Sequence, residues 1–156
     1  MLKSIFAAAI AVMLLAAAPA RADNALAGIW KIERAEPAPW VDAAFKPDQK
    51  EVATYVGKLV KFLARSIKAP ALLACPNPNF EMKDYTADMI FQGGLGEFFK
   101  DAGKAEDAAT KMGFKTRPIK TLETGCEHGF DFHMSDAEHA AFALDNMIYW
   151  MKRTQK

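Results

Sequence analysis

The sequence predicts a mainly β (α+β) fold, built as a small antiparallel barrel or curved sheet with one or two short helices and one disulfide. Several short segments alternate apolar and polar residues, which is the period of a strand that buries one face. Clusters of proline, glycine and asparagine separate these segments, and the chain contains two cysteines. The length is that of an ordinary single domain. We therefore expect residues 23–156 to form one β-rich domain.

Residues 1–22 are predicted to be a signal peptide. A lysine lies near the start, residues 5–18 are apolar, and residues 20–22 form an Ala-x-Ala cleavage signal. The apolar run is shorter than the roughly 20 residues that cross a bilayer as a helix. Cleavage is therefore expected between Ala22 and Asp23. The mature protein would be periplasmic or secreted, without an integral membrane segment.

The mature chain is expected to begin with a strand at residues 26–32, in which Trp30 and Ile32 share the buried face. The prolines at positions 37 and 39 are expected to end this ladder, because proline lacks the backbone N–H that strand pairing uses. Trp40 would then lie on a loop.

Residues 48–68 allow two interpretations. Apolar residues recur at helical spacing across the stretch, which would fit one continuous amphipathic helix. Gly57 interrupts the pattern, however, and the following residues also alternate as a strand would. We favour a short helix at 48–56 followed by a strand at 58–62.

The middle of the chain is predicted to contain four further elements. They are a strand at 80–84, a short helical turn at 86–91, a flexible glycine loop at 93–96 and a helix at 104–112. The glycine loop lacks the lysine and hydroxyl residues with which a phosphate loop holds a nucleotide. A nucleotide is therefore not an expected ligand.

The C-terminal third is predicted to begin with two strands, at 118–124 and 130–134. Alternation in the second strand places Phe132 in the core and directs Asp131 and His133 outward. Two faces with different chemistry are therefore expected.

Residues 136–153 fit either a helix or a hairpin that turns at Asp145 and Asn146. A helix would turn three aromatic side chains away from its apolar stripe, whereas a hairpin pairs Phe142 with Tyr149. We therefore favour the hairpin.

Cys75 and Cys126 are expected to form a disulfide, because an exported chain with an even number of cysteines normally pairs them. A redox or nucleophilic role is less favoured, since the chain has no Cys-x-x-Cys motif.

The charge balance and the motifs argue against several functional classes. The 20 Lys and Arg residues are balanced by 19 Asp and Glu residues, which argues against a nucleic-acid partner. No serine or cysteine carries the flanking pattern of a nucleophile that a base activates. We therefore expect a protein that is not an enzyme and has no cofactor.

The three histidines are the main candidates for metal ligands. His128, His133 and His139 fall within a short stretch, and imidazole is a good ligand for zinc and copper. An extended strand would point His128 and His133 to opposite faces, so the chain would have to fold back to bring them together. A periplasmic metal-handling protein is the alternative function.

Two families of β-barrel proteins resemble parts of this chain. The Gly28-Ile29-Trp30 triplet and Arg153 resemble the lipocalin pattern, in which a tryptophan of the first strand lies beneath an arginine of the last. This resemblance implies a cation–π stack of Arg153 on Trp30. META-type periplasmic domains resemble the middle of the chain in the spacing of Val60, Phe62, Ile67, Pro70, Cys75 and Phe80. The chain is thus similar to small exported bacterial lipocalin-like or META-like barrels, a resemblance that implies no particular activity.

These observations favour a non-enzymatic binding or inhibitor-type protein of the cell envelope. It would bind a small apolar ligand or another envelope protein. The expected binding residues combine aromatic surface with mobility at a rim, and they are Trp40, Phe91, Gly93, Gly94 and Gly96.

Overall fold

The computed structural model describes residues 24–155, in which eight antiparallel strands form one sheet curled into a half-barrel. The strands are β1 (Gly28–Pro37), β2 (Leu59–Leu63), β3 (Ser66–Lys68), β4 (Glu81–Tyr85), β5 (Ile119–Glu123), β6 (Asp131–Met134), β7 (His139–Leu144) and β8 (Met147–Gln155). The helices are α1 (Gln49–Tyr55), α2 (Gly94–Phe99) and α3 (Ala102–Met112), with short 3-10 turns at Ala71–Leu73 and Ala87–Met89. The mainly β prediction is confirmed. The predicted signal peptide, residues 1–22, and its cleavage site lie outside the described residues.

The strand order is β3-β2-β1-β8-β7-β6-β5-β4, so the first and last strands of the chain are neighbours. Trp30 of β1 lies opposite Arg153 of β8, and the pairing continues as far as Pro37 and Met147. The proline-rich stretch ends the first strand as expected, although the strand runs to Pro37, five residues beyond the predicted end at residue 32. Pro37 is tolerated because it is the last residue of the strand, where a missing N–H interrupts little of the ladder.

The inner face of the curl is packed with aromatic rings. Phe62 of β2 and Phe132 of β6 have ring centroids 4.9 Å apart, although three strands lie between them in the sheet. Only the inside of a curled sheet brings such distant strands together. Phe142 and Tyr149 stack beside this pair at 5.1 Å. These four rings and Trp30 are almost entirely buried.

The outer face of β5 to β8 carries a second core. Its outward side chains include Ile119, Ala141, Ile148 and Trp150, and they pack against the 3-10 turn at 87–89 and helices α2 and α3. We call these three elements the helical cap. Because this half of the sheet is covered on both sides, the residues of β8 from 147 to 151 are all buried.

Both structural alternatives left open by the sequence are decided. Residues 139–155 form the predicted hairpin, with Phe142 opposite Tyr149. Asp145 and Asn146 have φ of 45° and 65°, as the two-residue type I′ turn requires. The alternative prediction of a helix over residues 136–153 is therefore wrong.

Residues 48–68 form the predicted short helix and strand rather than one helix. Asp48 caps α1 by accepting a hydrogen bond from the backbone N–H of Lys50. Gly57 has a φ of 83°, which ends the helical path and turns the chain into β2 beside β1.

The flexible glycine loop predicted at 93–96 instead forms the start of helix α2. Gly93, with a φ of 79°, precedes α2, and Leu95 in its first turn is fully buried. Tertiary packing thus outweighs the low helix propensity of glycine.

The predicted disulfide between Cys75 and Cys126 is present, with a Cα–Cα distance of 6.1 Å. Strands β3 and β4 are the two edges of the sheet, so residues 69–80 must cross from one edge to the other. The disulfide ties this crossing segment to the loop between β5 and β6. The backbone N–H of Asn79 adds a hydrogen bond to the carbonyl of Thr124, at 2.7 Å.

The contact between Trp30 and Arg153 that the lipocalin resemblance implies is also present. The guanidinium carbon lies 4.2 Å from the indole centroid, within cation–π range. Arg153 also donates hydrogen bonds to the carbonyls of Ala25 and Ala27, which fixes the chain before β1 against the last strand. In residues 24–155, no helix is both long enough and apolar enough to cross a membrane.

Candidate functional site

Trp40 lies on the surface between the end of β1 and the helical cap. Its indole ring rests on Gly94, where a Cβ atom would come within 2.9 Å of two ring carbons. Its Nε1 donates a hydrogen bond to the Asn146 side chain at 3.1 Å. The ring is therefore held between α2 and the turn of the C-terminal hairpin, and it remains partly exposed.

A shallow groove of about 270 Å³ lies beside Trp40 and is lined by Gly94, Glu97 and Phe98. Phe98 is 48% exposed, a large fraction for a phenylalanine. We call this feature the Trp40–Phe98 groove.

A second hollow of about 400 Å³ shares Glu97 with the groove. Asp88 and Asp101 contribute two further carboxylates, against the single cation of Lys100. Met89 at its rim is 44% exposed. The two hollows together offer an apolar slot beside an acidic one.

Gly96 permits the close approach that shapes this surface. A Cβ at this position would lie 2.7 Å from the backbone oxygen of Asp88. Helix α2 and the 3-10 turn at 87–89 can therefore touch only if residue 96 has no side chain.

We expect Gly96→Ala to lower the free energy of unfolding by about 1–3 kcal/mol, because backbone atoms must move to admit the methyl group. Urea denaturation measures this change. Gly103→Ala, in the first turn of α3, is the matched control, since its Cβ would meet only a side-chain oxygen of Asp101, at 3.3 Å, and no backbone atom. Equal losses in the two variants would contradict the role assigned to Gly96.

The predicted site residue Phe91 is 2% exposed and lies beneath the groove rather than on its rim. Its ring packs against Trp40 and Phe114, with centroid distances of 6.2 and 5.9 Å. Phe91 and Gln92 have φ of 57° and 54°, so two non-glycine residues adopt the left-handed conformation in succession. Each costs on the order of 1–3 kcal/mol and persists only where the surroundings hold it.

His133 supplies part of that support. Its Nε2 accepts a hydrogen bond from the backbone N–H of Phe91 at 2.9 Å. An N–H can only donate, so the proton of the neutral ring is on Nδ1, which lies 2.9 Å from the Thr121 hydroxyl. Burial lowers the pKa of His133 to about 3. The neutral imidazole on β6 therefore links β5 to the chain segment before α2 through two hydrogen bonds.

The prediction that His133 faces solvent is thus wrong. Strand parity correctly placed it on the opposite face from Phe132, but the helical cap covers that face.

His139 lies at the surface, 3.0 Å from the Asp136 carboxylate, and His128 lies in the turn before β6, near Phe130. Across residues 24–155, no group of three His, Cys, Asp or Glu side chains is placed to hold a metal ion. The metal-handling alternative stays a prediction.

A polar cluster lies on β4, β5 and β6. The Tyr85 hydroxyl donates a hydrogen bond to Glu123 at 2.6 Å, and the Lys83 ammonium lies 2.8 Å from the same carboxylate. Two hydrogen bonds lower the pKa of the Glu123 carboxyl, and the one from Lys83 has a larger effect than the one from Tyr85. Partial burial, with a contribution from Glu123 on the next strand, raises the pKa of Asp131 to about 6. This cluster therefore changes charge near neutral pH.

Sequence reasoning found Trp40 but missed Phe98, Met89 and Glu97. The pair Phe98-Phe99 is the one signal in the sequence for an exposed ring here. One short helix cannot direct both rings into one core, although the pair does not tell which ring stays outside. Only Phe99 packs against the cap.

Fold and site together define a mainly β half-barrel whose outer helical cap presents an apolar groove beside a cluster of carboxylates. Comparison with protein-family models, with curated proteins and with solved structures finds no match to this chain.

Proposed function

We propose that the protein is an exported, non-enzymatic binding protein of the cell envelope that recognises another envelope protein through the Trp40–Phe98 groove. The exposed ring of Phe98 beside a partly exposed Trp40 is the observation that carries this proposal. Aromatic side chains on a rigid base are typical centres of binding energy in protein interfaces. Here the base is Phe91, held by His133 and Phe114.

The chemistry of the groove defines the partner. An apolar side chain fits beside Trp40, and the carboxylates of Asp88, Glu97 and Asp101 favour a lysine or arginine next to it. Complementary charge of this kind orients the partner and raises the association rate.

A protein partner is favoured over a small apolar ligand for two reasons. The inside of the curl, where lipocalins hold ligands, is packed by the rings of Phe62, Phe132, Phe142 and Tyr149. The outer groove beside Trp40, at about 270 Å³, is below the range of roughly 300–1,000 Å³ that is usual for small-molecule sites. The adjoining hollow of about 400 Å³ is lined by three carboxylates, which do not suit an apolar ligand.

Affinity purification from the envelope of cells that produce the protein tests the proposal. We expect a co-purifying protein whose yield falls about 30-fold with Phe98→Ser, the size of one aromatic hot spot. Glu97→Lys should also reduce the yield, because it repels a basic side chain. Leu72→Ser and Glu127→Lys are matched controls, since both residues are exposed and lie outside the groove.

The proposal is wrong if all four variants retain the same co-purifying proteins at wild-type yield. Circular dichroism of each variant would establish that Phe98→Ser is folded. A lipid or small molecule released from the wild type, and absent from Phe98→Ser, would replace the protein partner with a ligand.

A further inference from the structure

The outer face of the sheet is covered by the helical cap only over β5 to β8. On the other half, the outward residues of β1, β2, β3 and the end of β8 remain uncovered. We call this surface the lysine face, and it comprises Ile29, Lys31, Leu59, Lys61, Leu63, Lys68 and Lys152.

Two pairs of lysines lie directly opposite each other on this face. Lys61 of β2 is the register partner of Lys68 of β3, and Lys31 of β1 is the register partner of Lys152 of β8. Like charges opposite each other destabilise an antiparallel pair. Strand pairing alone therefore does not explain why lysine occupies these four positions.

Nothing in the described part of the chain neutralises these charges. None of the four lysines forms a salt bridge within residues 24–155, whereas Lys83, Lys100 and Lys120 each have a carboxylate partner. The sequence contains no Asp or Glu from residue 52 to residue 80, and Lys58 and Arg65 lie in the turns around β2.

Positive charge is therefore concentrated on one face, although the chain has almost no net charge. The chain as a whole has 20 basic and 19 acidic side chains. Because one face concentrates cations, the rest of the molecule is acidic, and the field favours one orientation toward an anionic surface.

We propose that the lysine face binds the surface of an anionic phospholipid bilayer. Leu59 and Leu63 are 45% and 40% exposed and lie on either side of Lys61 along β2, so apolar groups can enter the headgroup region beside the cations. Apolar insertion combined with attraction to anionic lipid is the pattern of peripheral membrane binding. This surface is separate from the Trp40–Phe98 groove, and the inference goes beyond the proposed function.

Other anionic partners fit the face less well. A nucleic acid would favour aromatic rings for stacking, and this face has none among its outward residues. A specific acidic protein is usually recognised by arginines that bind carboxylates in pairs, whereas these strands present lysines, which act as point charges.

Vesicle co-sedimentation of the purified protein tests this inference. The probes are vesicles of phosphatidylcholine and vesicles in which about a third of the lipid is phosphatidylglycerol, with binding to the second expected to weaken as salt rises.

The double variant Lys61→Gln with Lys68→Gln should weaken binding to the anionic vesicles about 25-fold, at roughly five-fold for each lysine. Lys104→Gln with Lys111→Gln, on exposed α3 positions, is the matched control and should bind as the wild type does. All proteins share the same N-terminus, so the difference between the two variants reports on the lysine face.

Thermal unfolding distinguishes lost binding from lost structure. Lys61→Gln with Lys68→Gln should be at least as stable as the wild type, because it removes a repulsive pair. Equal binding by both double variants, or no preference for the anionic vesicles, would overturn the inference. Binding to poly-glutamate without binding to vesicles would also overturn it, in favour of an acidic protein. Phe98→Ser should bind vesicles normally, so failure of this inference is separable from failure of the proposed function.

Discussion

Replacing both Cys75 and Cys126 with serine is expected to lower the free energy of unfolding by about 4 kcal/mol, the chain-entropy value for a closed loop of this length. The two residues are 51 positions apart, and they fasten the segment that crosses between the two edges of the sheet. Without the disulfide, the crossing segment is left with few hydrogen bonds to the sheet. Urea denaturation of the double variant measures the loss.

Dithiothreitol provides the internal control for this prediction. The reductant should destabilise the wild type by a similar amount and leave the double serine variant unchanged. A wild type whose unfolding midpoint does not move after complete reduction would contradict the role assigned to the disulfide.

Acidification from pH 7.5 to pH 4.5 is expected to destabilise the wild type through His133. Its folded-state pKa is about 3, whereas the unfolded-state value is about 6.5. The neutral ring therefore contributes fully above pH 6.5, and its contribution is lost as the pH falls toward 3. At about 1.4 kcal/mol for each pH unit, the loss between pH 6.5 and 4.5 is about 3 kcal/mol.

Asp131 acts in the opposite direction within part of this window. Its pKa is raised to about 6 in the folded state, so protonation below pH 6 favours folding. Asp131 is only partly buried, and solvent screening makes this effect smaller than that of the fully buried imidazole. The net result remains a loss of stability with acid.

The test compares the pH dependence of unfolding in His133→Gln with that in His139→Gln. The glutamine oxygen at position 133 can accept the hydrogen bond of the Phe91 N–H, but the side chain does not titrate. His133→Gln should therefore lose the acid-dependent slope, whereas His139→Gln, at an exposed position, should keep it. A slope that survives in His133→Gln would show that another group causes it.

The sequence predicted those elements whose local chemistry and packing agree. The C-terminal hairpin was predictable because Asp145 and Asn146 tolerate positive φ and because the aromatics pair only in strands. The short helix and strand around Gly57 were predictable for the same reason, since a left-handed glycine ends one element and begins another.

Helix α2 could not be predicted, because its first turn contains two glycines and its stability comes from tertiary contacts. Leu95 is buried between α2 and the sheet, and Gly96 approaches the backbone of Asp88. Because α2 and its contacts were not predicted, His133 was wrongly expected to face solvent. Strand parity tells which face a side chain occupies, whereas what covers that face depends on elements distant in sequence.

The same limit applies to the candidate site. Trp40 was recognisable because a tryptophan after a proline-rich stretch lies at the end of a strand. Phe98 was not, since the sequence does not tell which ring of the Phe98-Phe99 pair packs inward.

Photo-crosslinking in living cells tests the central claim, that the Trp40–Phe98 groove contacts a partner protein. A photoreactive phenylalanine analogue replaces Phe98 in one protein and Leu72 in the control, two exposed positions on different surfaces. We expect a discrete adduct from position 98 that is absent from position 72 and lost when Glu97→Lys is added. Identical adducts from both positions, or no adduct from position 98, would contradict the claim.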